Sequence, residues 1–280
     1  MYKILEKSSL NPTVSRMVIE APRVAEKAKP GMFIILRVDS EGERIPLTIA
    51  DYDAAKGTVT VIYQIVGATT KKLDRLNSGD GICDFVGPLG RPSELDGLKK
   101  VAVIGGGVGC AIALPIAKGL HAQGSTVHSV IGFRNKELVI LKDEFEAASD
   151  KCVLMTDDGS AGQKGLVTDA LKRLIDEGNN YDEVIAIGPL VMMKFVCKLT
   201  KEYGIKTVVS MNPVMIDGTG MCGGCRLTVG GEMKFACVDG PDFDGHLIDF
   251  DEAIGRSRMY ADFERRAYEK ECNLIRQGDE

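Results

Sequence analysis

Tryptophan is absent from this 280-residue sequence and aromatic residues make up only 6% of it, so the core must be mainly aliphatic. No apolar run approaches the roughly 20 residues that a membrane-spanning helix needs. Residues 1–8 lack the apolar segment of a secretion signal. The net charge of −5 argues against nucleic acid or an anionic membrane surface as a partner. We therefore expect a cytoplasmic protein with no membrane or nucleic-acid partner.

The eight cysteines do not predict a disulfide framework, because the chain is long and shows no secretion signal. Four of them lie in apolar or strand-like segments and are expected to be buried free thiols: Cys83, Cys110, Cys152 and Cys197. Cys272 falls in a charged C-terminal segment, where we expect no function for it. The other three lie together in a glycine-rich segment.

That segment carries the most informative motif, which consists of Asp217, Cys222, Cys225 and Cys237. The three cysteines match the last three ligands of the plant-type [2Fe–2S] pattern C-x4-C-x2-C…C, and aspartate occupies the first position. Four glycines nearby (218, 220, 223 and 224) permit positive φ angles and close approach of the backbone. Their N–H groups can then donate to the sulfides of a cluster.

Zinc is the competing interpretation, but structural zinc prefers four cysteines or combinations of cysteine and histidine, and this segment contains no histidine. Three unligated thiols in an exposed loop would oxidise. We therefore favour an iron–sulfur cluster over zinc, and either over an unoccupied loop. Asp217 is interpreted as a carboxylate ligand to iron. Its alternative role is an Asx turn before Gly218, with the fourth ligand supplied from elsewhere.

The remaining sequence divides by its hydrophobic pattern. The first ~95 residues contain short alternating runs bounded by Gly, Pro or Asp, which predict an antiparallel barrel or sandwich. Apolar strand-length runs then alternate with helical stretches from Lys99 to Met211, which predicts a parallel sheet with right-handed crossovers. Residues 213–245 show neither period and are expected to be an irregular loop. The pattern over residues 249–276 predicts one charged helix.

A nucleotide site is predicted where the first strand of the parallel sheet ends. The strand over residues 100–104 is followed by Gly105, Gly106, Gly107, Val108 and Gly109, and then by a helix. Such a loop lets the backbone approach a pyrophosphate, and the helix N-terminus favours its negative charge. Because a strand precedes the glycines and a helix follows them, nucleotide binding is favoured over a merely structural turn.

The choice between NAD and NADP stays open at this point. The acidic residue that commonly reads the ribose after the second strand is missing. Arg134 lies in that area and would either meet a 2′-phosphate or be a surface charge. Asp157 and Asp158, after the third strand, would bind ribose hydroxyls or cap the glycine-rich turn that follows.

A hydride carrier and a one-electron centre on one chain require a converter between them, and flavin is the usual one. Thr48, Gly67 and Thr70, at the ends of two predicted strands, are groups of the kind that hold a flavin. Taken alone they would be ordinary strand-end residues. Only their combination with the other motifs supports flavin binding.

With these motifs in order, the sequence resembles two related families of the ferredoxin–NADP reductase superfamily. One is the electron-transfer subunit of bacterial dihydroorotate dehydrogenase. The other is the small (alpha) subunit of NADH-dependent reduced ferredoxin:NADP oxidoreductase, also called the sulfide dehydrogenase beta subunit. Aspartate in the first ligand position resembles the second family and departs from the orotate branch, which has cysteine there. The resemblance spans essentially the whole chain.

The resemblance implies a β plus α/β fold with four segments. These are an antiparallel FAD-binding β-barrel (1–97), a parallel-sheet NAD(H)-binding domain (98–212), a [2Fe–2S] lobe (213–248), and a C-terminal helix as a candidate partner contact (249–280). From the motifs above together with the resemblance, the residues expected to bind FAD or NAD(H) are Arg44, Pro46, Leu47, Thr48, Ile65, Val66, Gly67, Thr70, Gly87, Pro88, Gly90, Gly105, Gly106, Gly107, Val108, Gly109, Arg134, Asp157, Asp158, Gly188 and Pro189. The metal ligands are Asp217, Cys222, Cys225 and Cys237. No side chain is expected to act as a catalytic acid or base.

The expected activity is an NAD(H)-dependent oxidoreductase of the ferredoxin:NADP transhydrogenase type. This chain would pass electrons between NAD(H), FAD and the [2Fe–2S] cluster to a larger subunit that carries FAD and [4Fe–4S] clusters and performs electron bifurcation. Ferredoxin would then be an indirect partner. Two alternatives are an electron-transfer subunit of an NAD-dependent dihydroorotate dehydrogenase and a non-enzymatic nucleotide sensor with a zinc knuckle.

Overall fold

The computed structural model describes residues 1–278. Its N-terminal part is an antiparallel sheet of seven strands, as the alternating runs predicted. The strands are β1 (Tyr2–Asn11), β2 (Val14–Glu20), β3 (Phe33–Arg37), β4 (Arg44–Asp53), β5 (Thr58–Gln64), β6 (Gly81–Ile82) and β7 (Asp84–Leu89). Two short helices accompany them, α1 (Pro22–Ala25) and α2 (Ala68–Leu73).

The segment that contains β6 and β7 closes this sheet into a barrel. The strand order is β6-β1-β2-β5-β4-β3-β7. Ile82 pairs with Tyr2 at one edge, whereas Asp84 pairs with Arg37 at the other. Because only Cys83 separates Ile82 from Asp84, one short stretch of chain pairs with β1 on one side and with β3 on the other. Closure of this kind removes the open edges that would otherwise pair with other chains.

The second half of the chain forms a mainly parallel sheet with helices on its faces. Its strands are β8 (Lys100–Gly106), β9 (Thr126–Phe133), β10 (Lys151–Thr156), β11 (Gln163–Lys164), β12 (Glu183–Ile187) and β13 (Thr207–Ser210). Its helices are α3 (Cys110–Ala122), α4 (Lys142–Ala147), α5 (Val167–Asp176) and α6 (Leu190–Glu202). The order β11-β10-β9-β8-β12-β13 reverses direction between β8 and β12, which is where doubly wound folds bind ligands.

The cysteine-rich segment is more ordered than its sequence predicted. It contains three short strands, β14 (Arg226–Val229), β15 (Glu232–Phe235) and β16 (Asp242–Asp244). Gly230 and Gly231 have φ angles of +61° and +84° and turn β14 into β15 as a tight hairpin. Strand β16 pairs antiparallel with β13 and so extends the α/β sheet. Because β16 joins the sheet of the α/β part, the predicted boundary between the NAD(H)-binding domain (98–212) and the cluster lobe (213–248) stays a proposal.

The predicted single C-terminal helix is two helices, α7 (Phe250–Ser257) and α8 (Ala261–Gly278). They are separated by a turn in which the N–H groups of Arg258 and Met259 donate to the carbonyls of Gly255 and Arg256. Gly255 lies two residues before the end of α7. Glycine has a low helix propensity, which is consistent with a break at this point. Within residues 1–278, no helix is both long enough and apolar enough to cross a membrane.

One hydrophobic cluster joins all three parts of the molecule. It contains Phe33 and Ile35 from the barrel strand β3, Ala102 and Ile104 from β8, and Cys225 of the cysteine-rich segment. Phe33 is 3% exposed and Ile35 is 2% exposed, so the barrel face that packs on the other parts is dry. A shared core of this kind fixes the distance between the sites on the three parts.

Candidate redox cofactor sites

The glycine loop after β8 fits tightly against the end of β12. A β-carbon added to Gly109 would lie 2.5 Å from the carbonyl oxygen of Ile187, and one added to Gly188 would lie 3.1 Å from the Cα of Gly106. By contrast, a β-carbon on Gly107, where φ is +56°, would meet nothing within 4 Å. Gly109 is therefore required by packing. Gly107 instead presents open backbone to the cavity beside it.

That cavity has a volume of about 870 Å³ and lies at the carboxyl ends of the parallel strands. Eight residues predicted for NAD(H) line it: Gly106, Gly107, Val108, Gly109, Arg134, Asp157, Gly188 and Pro189. The barrel supplies Asn11, Thr13 and Gln64 to its opposite wall. The side-chain amide of Asn11 donates to the carbonyl oxygen of Leu138 at 3.2 Å, which ties the β1–β2 turn to the α/β part. The cavity is thus formed jointly by both parts.

Helix α6 adds wall residues that the sequence interpretation missed, including Val191 and Phe195. Both side chains are about half exposed, at 51% and 53%. Lys198 and Glu202 continue the same face of the helix along the cavity. Their spacing of three to four residues places all four on one side of α6. That periodicity is visible in the sequence, but it is equally typical of a face buried on the sheet.

The two aspartates after β10 have different environments. Asp157 lines the cavity, as predicted for a ribose-binding group. Asp158 does not: its Oδ1 accepts from the backbone N–H of Ser160 at 2.9 Å and from the Ser160 hydroxyl at 2.6 Å. The hydroxyl bond, followed by the backbone bond, lowers the pKa of Asp158. Asp158 is therefore the turn cap that the sequence offered as an alternative.

Two of the predicted flavin motifs meet at one residue of β3. Phe33 pairs with Thr48 of β4 on one side and with Leu89 of β7 on the other. Neither Thr48 nor the stretch 87–90 is fully buried, so polar backbone and hydroxyl groups remain accessible there. A β-carbon on Gly90, where φ is +76°, would lie 2.8 Å from the Phe33 ring. Glycine is thus needed at position 90 to bring residues 87–90, the third proposed flavin motif, against β3.

The remaining proposed flavin motif, residues 65–70, does not lie at the end of a strand, contrary to the prediction. Gly67 is the N-cap of helix α2, and Thr70 lies in its first turn. The Thr70 hydroxyl accepts from the backbone N–H groups of Val66 and Gly67 at 3.1 and 3.0 Å. Thr69 donates to Glu43 at 3.4 Å, which brings α2 beside Arg44. Arg44 itself lies 3.8 Å from an oxygen of Asp84.

Two of the three cysteines of the cluster loop are buried. Cys225 and Cys237 are each 2% exposed, and the Cys225 thiol acts on the ionisation of Cys237. Cys222 is exposed. Burial, followed by the Cys225 thiol, raises the pKa of Cys237 to about 12, while a bond from the Gly220 backbone opposes the rise. Two buried neighbouring thiols are ionised most readily by a bound metal, so the donor set suits one.

Asp217 points into its own loop. Its Oδ2 accepts from the backbone N–H groups of Thr219 at 3.2 Å and Met221 at 3.3 Å, and also from the Thr219 hydroxyl. The hydroxyl bond is the main cause of its lowered pKa. This is the Asx-type turn considered from the sequence, so ligation by Asp217 stays a prediction.

In the described part of the chain, no three side chains among His, Cys, Asp and Glu converge closely enough to hold one metal ion. A mononuclear zinc knuckle requires such convergence. A binuclear iron–sulfur cluster spreads its four ligands over two irons, which suits the paired Cys225 and Cys237 with Cys222 outside them. The residues present therefore fit a [2Fe–2S] cluster better than zinc.

The cluster loop is bonded directly to the barrel. The backbone N–H of Arg91 donates to the carbonyl oxygen of Gly240 at 2.7 Å, and its guanidinium donates to the carbonyl oxygen of Val238 at 3.1 Å. Ser93 donates to the carboxylate of Asp242 at 2.6 Å. The chain that leaves Cys237 is thus held by the segment that follows the third flavin motif.

These features define an electron-transfer protein of the ferredoxin reductase type. The chain superposes with a TM-score of 0.61 on a ferredoxin reductase of carbazole 1,9a-dioxygenase, covering 73% of this chain and 65% of that one. At 18% identity this likeness shows the fold alone. The predicted combination of a β-barrel, a parallel sheet and a C-terminal lobe with helices is confirmed.

The iron–sulfur cluster binding domain of dihydroorotate dehydrogenase B matches residues 212–249. A dihydroorotate dehydrogenase B electron transfer subunit homolog of Thermotoga maritima is 46% identical, over 96% of this chain and 95% of that protein. The electron transfer subunit of Streptococcus pneumoniae strain R6 is 34% identical, over 86% and 94%. The chain belongs to the family of dihydroorotate dehydrogenase B electron transfer subunits and their homologues.

A solved structure of NADH-dependent reduced ferredoxin-NADP oxidoreductase, studied for flavin-based electron bifurcation, is also similar. It is 44% identical, with a TM-score of 0.91, and the match covers 96% of this chain and 97% of that one. The family resemblance drawn from the sequence is therefore confirmed. The family supports the expected cofactor set of FAD, NAD(H) and a [2Fe–2S] cluster. The roles of individual site residues stay predictions.

Proposed function

We propose that this chain is the NAD(H)-dependent electron-transfer subunit of a ferredoxin:NADP transhydrogenase. It passes electrons between NAD(H), FAD and a [2Fe–2S] cluster, and exchanges them with a larger flavoprotein subunit that uses ferredoxin and NADP. The orotate-linked alternative is not favoured, because aspartate replaces cysteine at position 217 and the chain superposes so closely on the bifurcating enzyme. A zinc-knuckle sensor is not favoured either, since the cysteine loop matches an iron–sulfur domain.

The shared core between the barrel and the cluster loop carries this proposal. Strand β3 presents Phe33 and Ile35 to the same hydrophobic cluster as Cys225 and Cys237. Phe33 is also the residue that pairs with two flavin motifs, at Thr48 and Leu89. One strand therefore shares a hydrophobic core with the buried cluster cysteines and pairs with two of the proposed flavin motifs. A shared core of this kind supports a short separation between the two proposed redox sites.

The chain's own residues bind and orient, and none acts as an acid or base. The glycine loop and Gly188 would hold the nucleotide pyrophosphate, and Asp157 would bind ribose hydroxyls. Thr13 and Gln64 of the barrel face the same cavity and so limit where the nucleotide can lie. When bound, the flavin supplies the conversion between two-electron hydride transfer and single-electron transfer.

The larger subunit is proposed to dock around Cys222. A second cavity of about 530 Å³ is lined by this exposed cysteine, by Ile216 of the cluster loop, and by Met259 and Tyr260 between α7 and α8. Ile216, Met259 and Tyr260 are 53%, 52% and 47% exposed. An apolar surface beside an exposed cluster ligand suits a partner that must approach the cluster closely.

The C-terminal helix expected over residues 249–280 was predicted as a candidate partner contact, but the described side chains of α8 also pack on the chain itself. Helix α8 packs on α2, with the Lys71 ammonium 4.9 Å from the centre of the Tyr268 ring. Phe263 on the same helix is 69% exposed. We therefore place the proposed contact at the turn between α7 and α8 and the first turn of α8.

Anaerobic purification with the native partner tests the proposal. We expect a heterodimer with a larger iron–sulfur flavoprotein, FAD and two irons on this chain, and stepwise bleaching of flavin and then cluster when NADH is added. A Gly107→Ala variant of the complex should lose reduction by NADH but retain reduction by dithionite. Co-purification with a small FMN enzyme that oxidises dihydroorotate would instead support the orotate alternative. A colourless, zinc-loaded chain would contradict both.

A further inference from the structure

Two arginines hold the backbone between the cluster cysteines Cys222 and Cys225. The Arg226 guanidinium donates to the carbonyl oxygen of Gly223 at 3.2 Å, and the Arg256 guanidinium donates to that of Gly224 at 3.2 Å. Both carbonyls lie in the two-residue stretch that separates the cysteines. The loop is thus held through its carbonyls.

Arg256 comes from outside the matched cluster domain. That domain ends at residue 249, whereas Arg256 lies in the last turn of helix α7. The contact spans 32 positions of sequence, so it forms only when α7 packs against the cluster lobe. The lobe and α7 are further joined by Glu252, whose carboxylate accepts from the backbone N–H of Thr228 at 3.1 Å. Helix α7 is therefore a fixed part of the loop's surroundings.

Neither arginine has a carboxylate as ion-pair partner. Of the described residues that line the cavity beside Cys222, three are arginines (226, 256 and 258) and none is Asp or Glu. Within the described part of the chain, neither Arg226 nor Arg256 forms an ion pair with a carboxylate. The carboxylates of Asp217 and Glu252 also lie at the lobe, where they accept hydrogen bonds from backbone N–H groups. The two guanidinium charges therefore lie beside the loop without a direct counter-ion.

Burial distinguishes the two arginines. Arg226 is exposed, whereas Arg256 is only partly accessible. An exposed charge acts through water and is screened by salt over about 8–10 Å. A partly buried charge acts through a lower effective dielectric constant, where the same distance gives a severalfold larger interaction. Arg256 is therefore expected to exert the larger electrostatic effect at the loop.

We propose that Arg256 is a positioning residue that raises the reduction potential of the [2Fe–2S] cluster. Reduction adds one electron to the cluster, and a fixed positive charge next to the loop stabilises that added electron. The bond to the Gly224 carbonyl also polarises the adjoining peptide N–H, which would strengthen any hydrogen bond from it to a cluster sulfur. Helix α7 would thereby set how readily the cluster accepts electrons. This inference rests on the proposed function, because it needs the cluster.

The test measures the midpoint potential of the cluster in the intact heterodimer by potentiometric titration followed by EPR. Arg256→Gln removes the charge and keeps an N–H donor, whereas Arg256→Lys keeps the charge. We expect the potential of Arg256→Gln to shift to more negative values and that of Arg256→Lys to remain near wild type. Arg226→Gln should give a smaller shift that shrinks further at high ionic strength.

Arg258→Gln is the matched control. Arg258 lines the same cavity, but among the described contacts its side chain makes no bond to the loop. Arg258 is exposed, like Arg226, so its removal should shift the potential no more than Arg226→Gln does. A wild-type potential in Arg256→Gln with full iron and sulfide content would overturn the inference. So would loss of the cluster from both Arg256→Gln and Arg256→Lys, since Arg256 would then be merely structural. Absence of a [2Fe–2S] signal from wild type would instead contradict the proposed function itself.

Discussion

Gly218 of the cluster loop lies against Ile35 of the barrel with no room for a side chain. A β-carbon added to Gly218 would lie 2.7 Å from the Cδ1 of Ile35 and 2.8 Å from the Cδ1 of Leu89. The φ angle of Gly218 is +81°, in the region that favours glycine. The residue after Asp217 is thus fixed by β3, which pairs with two of the proposed flavin motifs, and by Leu89, which lies within one of them. Changes at this contact should affect the cluster and the barrel together.

Gly218→Ala should destabilise the cluster lobe by roughly 2–5 kcal/mol, combining left-handed backbone strain with overpacking. We expect lower iron content per chain and a lower melting temperature. Gly231→Ala is the control, because Gly231 has a φ of +84° but a β-carbon there would meet nothing within 4 Å. It should lose only about 1–2 kcal/mol from strain. Equal iron loss in both variants would show that the Ile35 contact is unimportant.

Gly107→Ala should weaken NADH binding, while its effect on folding should be limited to backbone strain at a φ of +56°. The added methyl group would meet no protein atom within 4 Å, and Gly107 lines the proposed nucleotide cavity. We expect the dissociation constant for NADH to rise about tenfold or more, equivalent to about 1.4 kcal/mol of binding free energy. Gly124→Ala is matched, since Gly124 has φ +89°, open surroundings, and a position outside the cavity. Unchanged NADH affinity in Gly107→Ala would place the nucleotide elsewhere.

Gly109→Ala should behave differently from Gly107→Ala. Its β-carbon would lie 2.5 Å from the carbonyl oxygen of Ile187, a backbone atom that cannot move aside cheaply. We therefore expect loss of soluble protein or a much lower melting temperature, whether or not NADH is present. A well-folded Gly109→Ala variant with weak NADH binding would contradict this assignment of Gly109 to packing.

Periodicity predicted most of the fold, because each half of the chain repeats a clear local pattern. The strand predicted over residues 100–104 is β8, which begins at the predicted residue and continues to Gly106. The secondary-structure predictions were wrong where tertiary contacts decide the structure. Strand β16 has only three residues and exists because β13 offers it an edge. Nothing within a three-residue window could indicate that partner.

The sequence predicted which residues form the candidate sites better than it predicted the role of each one. Asp157 and Asp158 are neighbours of the same type, yet one faces the nucleotide cavity and the other caps a turn through Ser160. Arg256 was missed altogether, because its contact with Gly224 spans 32 positions. A charged residue in a surface-like helix gives no sequence indication that it reaches a metal loop. Such roles become visible only when the chain is folded.

Two substitutions at Asp217 should separate its roles as ligand and as turn residue. Asp217→Asn keeps an oxygen that accepts from Thr219 and Met221 but lacks the carboxylate charge that iron prefers. If Asp217 is a ligand, this variant should lose cluster while Asp217→Cys retains it. The thiolate donates more charge, so the Asp217→Cys potential should be lower, as measured by EPR-monitored titration. Full cluster with an unaltered potential in both variants would leave Asp217 as a turn residue only.

Asp242 should make the protein less stable as the pH rises. Its Oδ1 is buried with no hydrogen-bond partner among the described residues, and burial raises its pKa despite bonds from Ser93 and Ser210. The native carboxyl therefore keeps a proton at pH values where the unfolded chain has released it. The free energy of unfolding then falls by about 1.4 kcal/mol for each pH unit between the pKa of the unfolded chain and that of the folded one. Asp242→Asn removes this loss, so the difference between its melting temperature and that of wild type should widen as the pH rises from about 4, near the pKa of an unfolded aspartate. Asp251→Asn, whose side chain is 83% exposed, should show no such widening. A difference between Asp242→Asn and wild type that stays constant across this range would mean that Asp242 is ionised in the folded protein throughout.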